Sequence, residues 1–203
     1  MGINLRYMKT YLLLFISLLF SFCSDTKKEN KKTTNINNTA NISEEIMEPI
    51  FSLLTSQETG IDFTNYNKEN NDFNYYSYEY FYNGGGVATA DFNNDGLLDI
   101  VFTANMAPNK LYINTGNLRF QDVTKQANIN SNTQDWCTGV TIVDINNDGY
   151  QDIFISRSGW FEDDQEDKLS NLLFVNNKDL TFTEKSAVYG FTDLSRSNQA
   201  CFF

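Results

Sequence analysis

The most constraining feature of the chain is an acidic nine-residue bend that occurs twice. The first copy reads Asp91-Phe-Asn93-Asn-Asp95-Gly96-Leu97-Leu-Asp99. The second reads Asp144-Ile-Asn146-Asn-Asp148-Gly149-Tyr150-Gln-Asp152, each position 53 residues further on. Apolar runs flank both copies. In each, three carboxylates crowd a stretch too short to separate their charges. Side chains at the first, third and fifth positions converge when the backbone curls, and the glycine permits the sharp turn. The carbonyls of Leu97 and Tyr150 then face inward, and Asp99 and Asp152 close the shell. All of these donors are oxygens. That suits a hard divalent cation such as calcium, which takes about six to eight oxygen ligands.

An EF-hand loop is excluded. It needs a bidentate Glu at its twelfth position, where this chain has Phe102 and Ile155. The flanks also argue against helices. Residues 87–90, 100–103, 140–143 and 153–155 are short runs rich in β-branched and aromatic side chains, as strands are. Each unit therefore reads as strand, metal loop, strand. A plain hairpin turn, which Asn-Asp-Gly also favours, does not require Asp99 or Asp152.

Each unit continues in the same way. Residues 109–114 and 120–124 read as third and fourth strands, and 171–176 and 182–186 answer them. Four short strands per repeat is the pattern of a propeller blade. The expected fold is all-β: an incomplete β-propeller of about two four-stranded blades with calcium loops, plus the start of a third. Residues 84–136 form the first repeat and 137–197 the second. Residues 198–203 resemble the strand that precedes each loop, so the chain reads as the N-terminal piece of a longer protein.

Upstream, residues 1–22 look like an export signal, with Arg6 and Lys9 before an apolar stretch too short to span a bilayer. Cys23 follows and resembles the acylated residue of a bacterial lipoprotein. Phe22 departs from the small residue usual before such a cysteine, and ordinary signal cleavage is the competing reading. Residues 23–42, rich in Asn, Lys and Thr, read as a disordered tether. Residues 43–83 form a lead-in. A short helix is expected over 43–54, capped by Ser43, and a β segment from Gly60. Tyr76, Tyr78, Tyr80 and Tyr82 alternate, so a strand there puts them on one face. That face is read as inter-sheet packing, with a stacking platform for sugar rings as the alternative.

Charge and composition exclude several functions. The net charge is −11, with 26 acidic and 15 basic residues, so nucleic acid is not an expected partner. The chain has no histidine, which removes His-based nucleophilic catalysis and His-ligated zinc. Asn83-Gly-Gly-Gly86 lacks the Lys-Ser/Thr ending of a phosphate loop. The insertion at 160–169 carries Glu162, Asp163, Asp164, Glu166 and Asp167. It reads as a solvated loop, with paired carboxylates of a glycosidase as the alternative. Cys137 and Cys201 adjoin apolar runs and are read as buried strand residues. A disulfide between them is the alternative in an oxidising compartment.

The run from Tyr82 to Val87, the loop from Asp91 to Gly96, Pro108 to Tyr112, Phe120 to Thr124, and Thr138 to Asp144 together resemble the FG-GAP/VCBS repeat superfamily of integrin-type β-propellers. The closer resemblance is to the bacterial cartilage-acidic-protein-like group, whose longer members often end in an ASPIC/UnbV domain. The resemblance covers about residues 80–203 and implies blades of a propeller of about seven. It assigns a metal role to Asp91, Asn93, Asp95 and Asp99, and to Asp144, Asn146, Asp148 and Asp152. The expected function is a calcium-binding, surface-anchored repeat module for ligand binding or adhesion, with two Ca²⁺ ions and no catalytic activity. Its expected partner is an extracellular protein or glycan, and it meets the membrane only through the N-terminal lipid. The alternative is the non-catalytic propeller part of a secreted polysaccharide-active enzyme.

Overall fold

The computed structural model describes residues 50–129, 135–159 and 169–203. The export signal, Cys23, the tether and residues 43–49 lie outside the described residues. So do residues 160–168 of the acidic insertion.

The described chain is nearly all β. Strands β1 (Val87–Ala90), β2 (Asp99–Phe102), β3 (Lys110–Asn114) and β4 (Phe120–Asp122) form one four-stranded antiparallel sheet in chain order. Strands β5 (Cys137–Val143), β6 (Asp152–Arg157), β7 (Leu172–Asn176) and β8 (Phe182–Glu184) form a second sheet of the same order. The first strands of the two sheets lie side by side. A Cβ on Gly86 would meet the Thr138 carbonyl oxygen and the Val140 nitrogen at 2.9 Å, so only glycine allows this approach.

Two-residue alternation decides which face each side chain takes. Ala90, Val101, Leu111 and Ile113 of the first sheet pack with Val140, Ile153, Ile155 and Phe174 of the second in one buried cluster. The Phe92 and Phe182 rings close it edge to face, 5.9 Å apart. The opposite face of the second sheet presents Phe154, Leu173 and Val175, which pack with Phe191 and Phe202. On the opposite face of the first sheet, Phe102 lies flat on Phe63, with ring centroids 4.7 Å apart. The Tyr112 hydroxyl there donates to Asp62 at 2.7 Å. These blades are propeller-like units, stacked through alternating apolar faces.

The lead-in departs from expectation. Residues 50–54 are not helical. Residues 43–49 of the expected helix lie outside the described residues; among those described, the lead-in has a single helical turn, α1 (Ser56–Thr59), started by a capping box between Thr55 and Glu58 and ended by Gly60 in the left-handed region. No strand forms over residues 60–70, although Phe63 and Asp62 cover the first sheet. The tyrosine strand is also overturned: residues 71–82 fold as bends and turns. Asn70 Oδ1 accepts from the Asp72 and Phe73 N–H groups, and Asn74 Oδ1 from those of Tyr76 and Ser77. Such local bonds compete directly with a sheet ladder. Tyr78 is consequently buried with Phe81 and Trp136, while Tyr76, Tyr80 and Tyr82 are exposed.

Cys137 is buried as expected, but Cys201 is exposed, and both are free thiols. Residues 198–203 lie along β5 without a strand assignment. Their contacts run through side chains: Gln199 Nε2 donates to Thr141 Oγ1 at 2.9 Å, and Thr141 Oγ1 donates to the Ala200 carbonyl at 2.8 Å.

Candidate metal centre

Both acidic bends join the first and second strands of their sheets. Ala90 pairs with Asp99, and Val143 with Asp152, so each bend leaves and re-enters the ladder at adjacent positions. Within the first bend, Asp91 Oδ1 accepts from the Asp95 N–H at 3.1 Å and Oδ2 from the Gly96 N–H at 2.7 Å. Asn93 Oδ1 also accepts from the Asp95 N–H, and Asp95 Oδ1 from the Leu97 N–H at 2.8 Å. The second bend repeats every one of these bonds through Asp144, Asn146, Asp148, Gly149 and Tyr150. Asn94 and Asn147 have φ near 57° and 56°, and Gly96 and Gly149 near 86° and 85°. Such left-handed turns suit Asn and Gly and resist other side chains.

The ninth-position aspartates do something that sequence reasoning missed. Asp99 and Asp152 are fully buried. Asp99 Oδ2 accepts from the Phe92 N–H at 2.9 Å, at the start of its bend. Its Oδ1 accepts from the Asn114 N–H at 2.8 Å, at the end of β3. Asp152 makes the same pair of bonds to Ile145 and Asn176, at 3.0 and 2.7 Å. Each carboxylate thus staples the bend to the third strand. Burial raises both above the ordinary carboxylate pKa; the backbone N–H bonds oppose the shift, and the neighbouring loop aspartates add to it.

Two further residues were not singled out from the sequence. Asn114 and Asn176 close β3 and β7. Asn114 Nδ2 donates to the Leu98 carbonyl at 3.0 Å. Asn176, buried, donates to the Gln151 carbonyl of its own bend at 3.2 Å and to the Phe92 carbonyl of the other bend at 2.9 Å. Asn94 Nδ2 adds a second link, to the Gly149 carbonyl at 3.3 Å. The signal was present as an Asn ending each third strand.

Among the described residues no three Asp, Glu, Cys or His side chains already converge into a metal cluster. The donor chemistry nevertheless fits a hard cation. Asp91, Asp95 and Asp99 each receive two hydrogen bonds. A carboxylate offers about four lone-pair sites, so each retains acceptor capacity. Sulfur and imidazole are absent from both bends.

Elsewhere, a cavity of about 360 Å³ is lined by Tyr76, Tyr78, Glu79, Tyr80 and Arg196. It gathers three of the four alternating tyrosines without the flat stripe a strand would give.

Residues 91–155 match the family described as FG-GAP-like repeat. The match opens on the first aspartate of the first bend and closes inside β6. It supports reading this chain as an FG-GAP repeat protein. No curated protein matches the chain.

Proposed function

We propose that this protein is a calcium-stabilised repeat module that displays a binding or adhesion surface outside the cell. The observation that carries the reading is the identical bond pattern of two acidic bends placed at the same point of two equivalent sheets. Asp91, Asn93, Asp95, Asp99 and the Leu97 carbonyl would hold one ion. Asp144, Asn146, Asp148, Asp152 and the Tyr150 carbonyl would hold the other. A bound calcium ion supplies positive charge that offsets the mutual repulsion of three carboxylates per bend. Binding to the folded state alone links metal to stability.

Anchoring through an acylated Cys23 and the tether after it would set the module off from a bacterial outer membrane or cell surface. The narrower kinship with the cartilage-acidic-protein-like group belongs to the same proposal. A glycan partner has one observation in its favour, the tyrosine-lined cavity, and a polysaccharide-active parent enzyme is the second reading.

The test is thermal unfolding of the full chain with excess EDTA and with 10 mM calcium. Without a bidentate Glu, affinity is expected at the extracellular end, with Kd on the order of 10⁻⁴–10⁻³ M. Ten millimolar calcium then adds about 1.4–2.7 kcal/mol per bend, a rise in Tm of several degrees. Identical transitions in EDTA and calcium, with no heat of binding, would remove the calcium reading.

A further inference from the structure

Resting on the calcium reading, we propose that Lys178 is a built-in counter-ion of the second bend, making it the weaker of two divalent-cation sites that share one internal bond pattern. Lys178 stands in the β7–β8 hairpin, and its Nζ lies 3.2 Å from Asp148 Oδ2. The same ammonium lies 5.4 Å from the centre of the Tyr150 ring, within the range of a cation–π contact. Asp148 therefore holds three donors: the Tyr150 N–H, the Asn146 amide and the Lys178 ammonium. Its equivalent Asp95 holds two, the Leu97 N–H and the Asn93 amide. Among the described residues no ion pair reaches the first bend.

The hairpin itself shows that the lysine is a departure. Lys178 N donates to Asn176 Oδ1 at 2.9 Å, as Gly116 N donates to Asn114 Oδ1 at 2.9 Å. The two residues thus hold the same place in the two sheets. Both are left-handed, with φ of 72° and 90°. Glycine takes that conformation freely, whereas a side chain there is disfavoured. The adjacent Asp179 carboxylate is engaged by Thr181, which leaves the ammonium to Asp148. The aromatic under it is a second departure, since the first bend has Leu97 where this one has Tyr150. Two differences between the copies thus meet at the Lys178 ammonium. A divalent ion entering the second bend competes with the ammonium for Asp148, a competition with no counterpart in the first.

The experiment is a calcium titration of the full chain followed by ¹⁵N NMR at the Gly96 and Gly149 amides, one reporter per bend. The expected result is a Gly149 midpoint at higher calcium than the Gly96 midpoint. Lys178→Gly copies the first sheet and should lower the Gly149 midpoint roughly 1.5- to fivefold, the scale of one partly exposed charge pair, leaving Gly96 in place. Lys178→Arg keeps the charge and should keep the unequal order. Gly116→Lys should shift Gly96 toward higher calcium. A Gly149 midpoint unmoved in Lys178→Gly, with both amides titrating, overturns the proposal and leaves the calcium reading standing. Silence of both amides in every protein overturns the calcium reading and this proposal with it.

Discussion

The two bends have the same internal wiring and different surroundings. Inside, every hydrogen bond of 91–99 has its counterpart in 144–152. Outside, the first bend is gripped by the second sheet, since Asn176 holds the Phe92 carbonyl and Asn94 reaches Gly149. The corresponding residue of the second bend, Ile145, packs instead against the Phe154, Leu173 and Val175 cluster on the outer face of its own sheet. The shared part shows what one such unit needs to fold. The differing part shows how neighbouring units are joined and how their charges are balanced.

The largest effect should come from the shared staple. Asp99→Ala and Asp152→Ala each leave two N–H groups without their partner in a buried site. At about 1–3 kcal/mol per orphaned group, each change should cost roughly 2–6 kcal/mol in urea unfolding. Asp152→Ala should be the worse, because Asn176, which its carboxylate fixes, also holds the first bend. A loss below about 1 kcal/mol for either would show that the staple is dispensable and that the aspartates serve a ligand alone.

The next effect isolates the surroundings. Asn176→Ala removes donors to carbonyls of both bends, whereas Asn114→Ala removes one donor to its own bend, and each also loses the turn bond accepted by its Oδ1. The expected losses are roughly 2 and 1 kcal/mol. Equal losses would mean that the link between sheets contributes nothing beyond the local bond.

Much of this was legible in the sequence, for identifiable reasons. The described strands overlap the short runs read as strands from their β-branched and aromatic residues, and all but β4 bury at least one residue, which a register slip would expose. The bends were legible because Gly96 and Gly149 mark turns that few other residues permit. The lead-in was not, because its tyrosines alternate as in a strand while Asn70 and Asn74 capture the backbone first. A third repeat of a smaller kind also escaped notice. The turns 55–60, 123–128 and 185–190 each close on a left-handed residue, Gly60, Asn128 or Gly190. Each is followed by an apolar one, Ile61, Ile129 or Phe191. Ile129 is buried between the sheets and Phe191 covers the outer face of the second. The first of these turns leads into Phe63, which covers the first sheet. The Thr55-x-x-Glu58 capping box marked that turn, but a four-residue helix gives no periodicity to find. The staple duty of Asp99 and Asp152 was hidden because the ligand duty proposed for them calls for the same residue.

The smallest effect separates those two duties through pH. In metal-free protein, burial lifts Asp99 and Asp152 above the value of about 3.8 taken as the unfolded carboxylate. Between those values the folded state binds more protons than the unfolded one, so stability falls as pH rises through the window. The contribution is fully present below the unfolded pKa and lost above the folded one. Asp148 has the opposite sign. Chiefly its bond from the Tyr150 N–H, and further the Lys178 ammonium, hold it below the usual range, so its contribution is lost as pH falls. The second bend should therefore carry two opposed dependences. Carboxyl ¹³C shifts followed against pH should place the Asp99 and Asp152 midpoints above that of Asp148. Calcium should reverse the trend at the two staples, because a cation competes with their protons and favours the ionised form. Staples that titrate low without metal would mean that their N–H bonds outweigh burial. The staples would then hold ionised carboxylates without metal, and the fall of stability with rising pH would be absent in both copies at once.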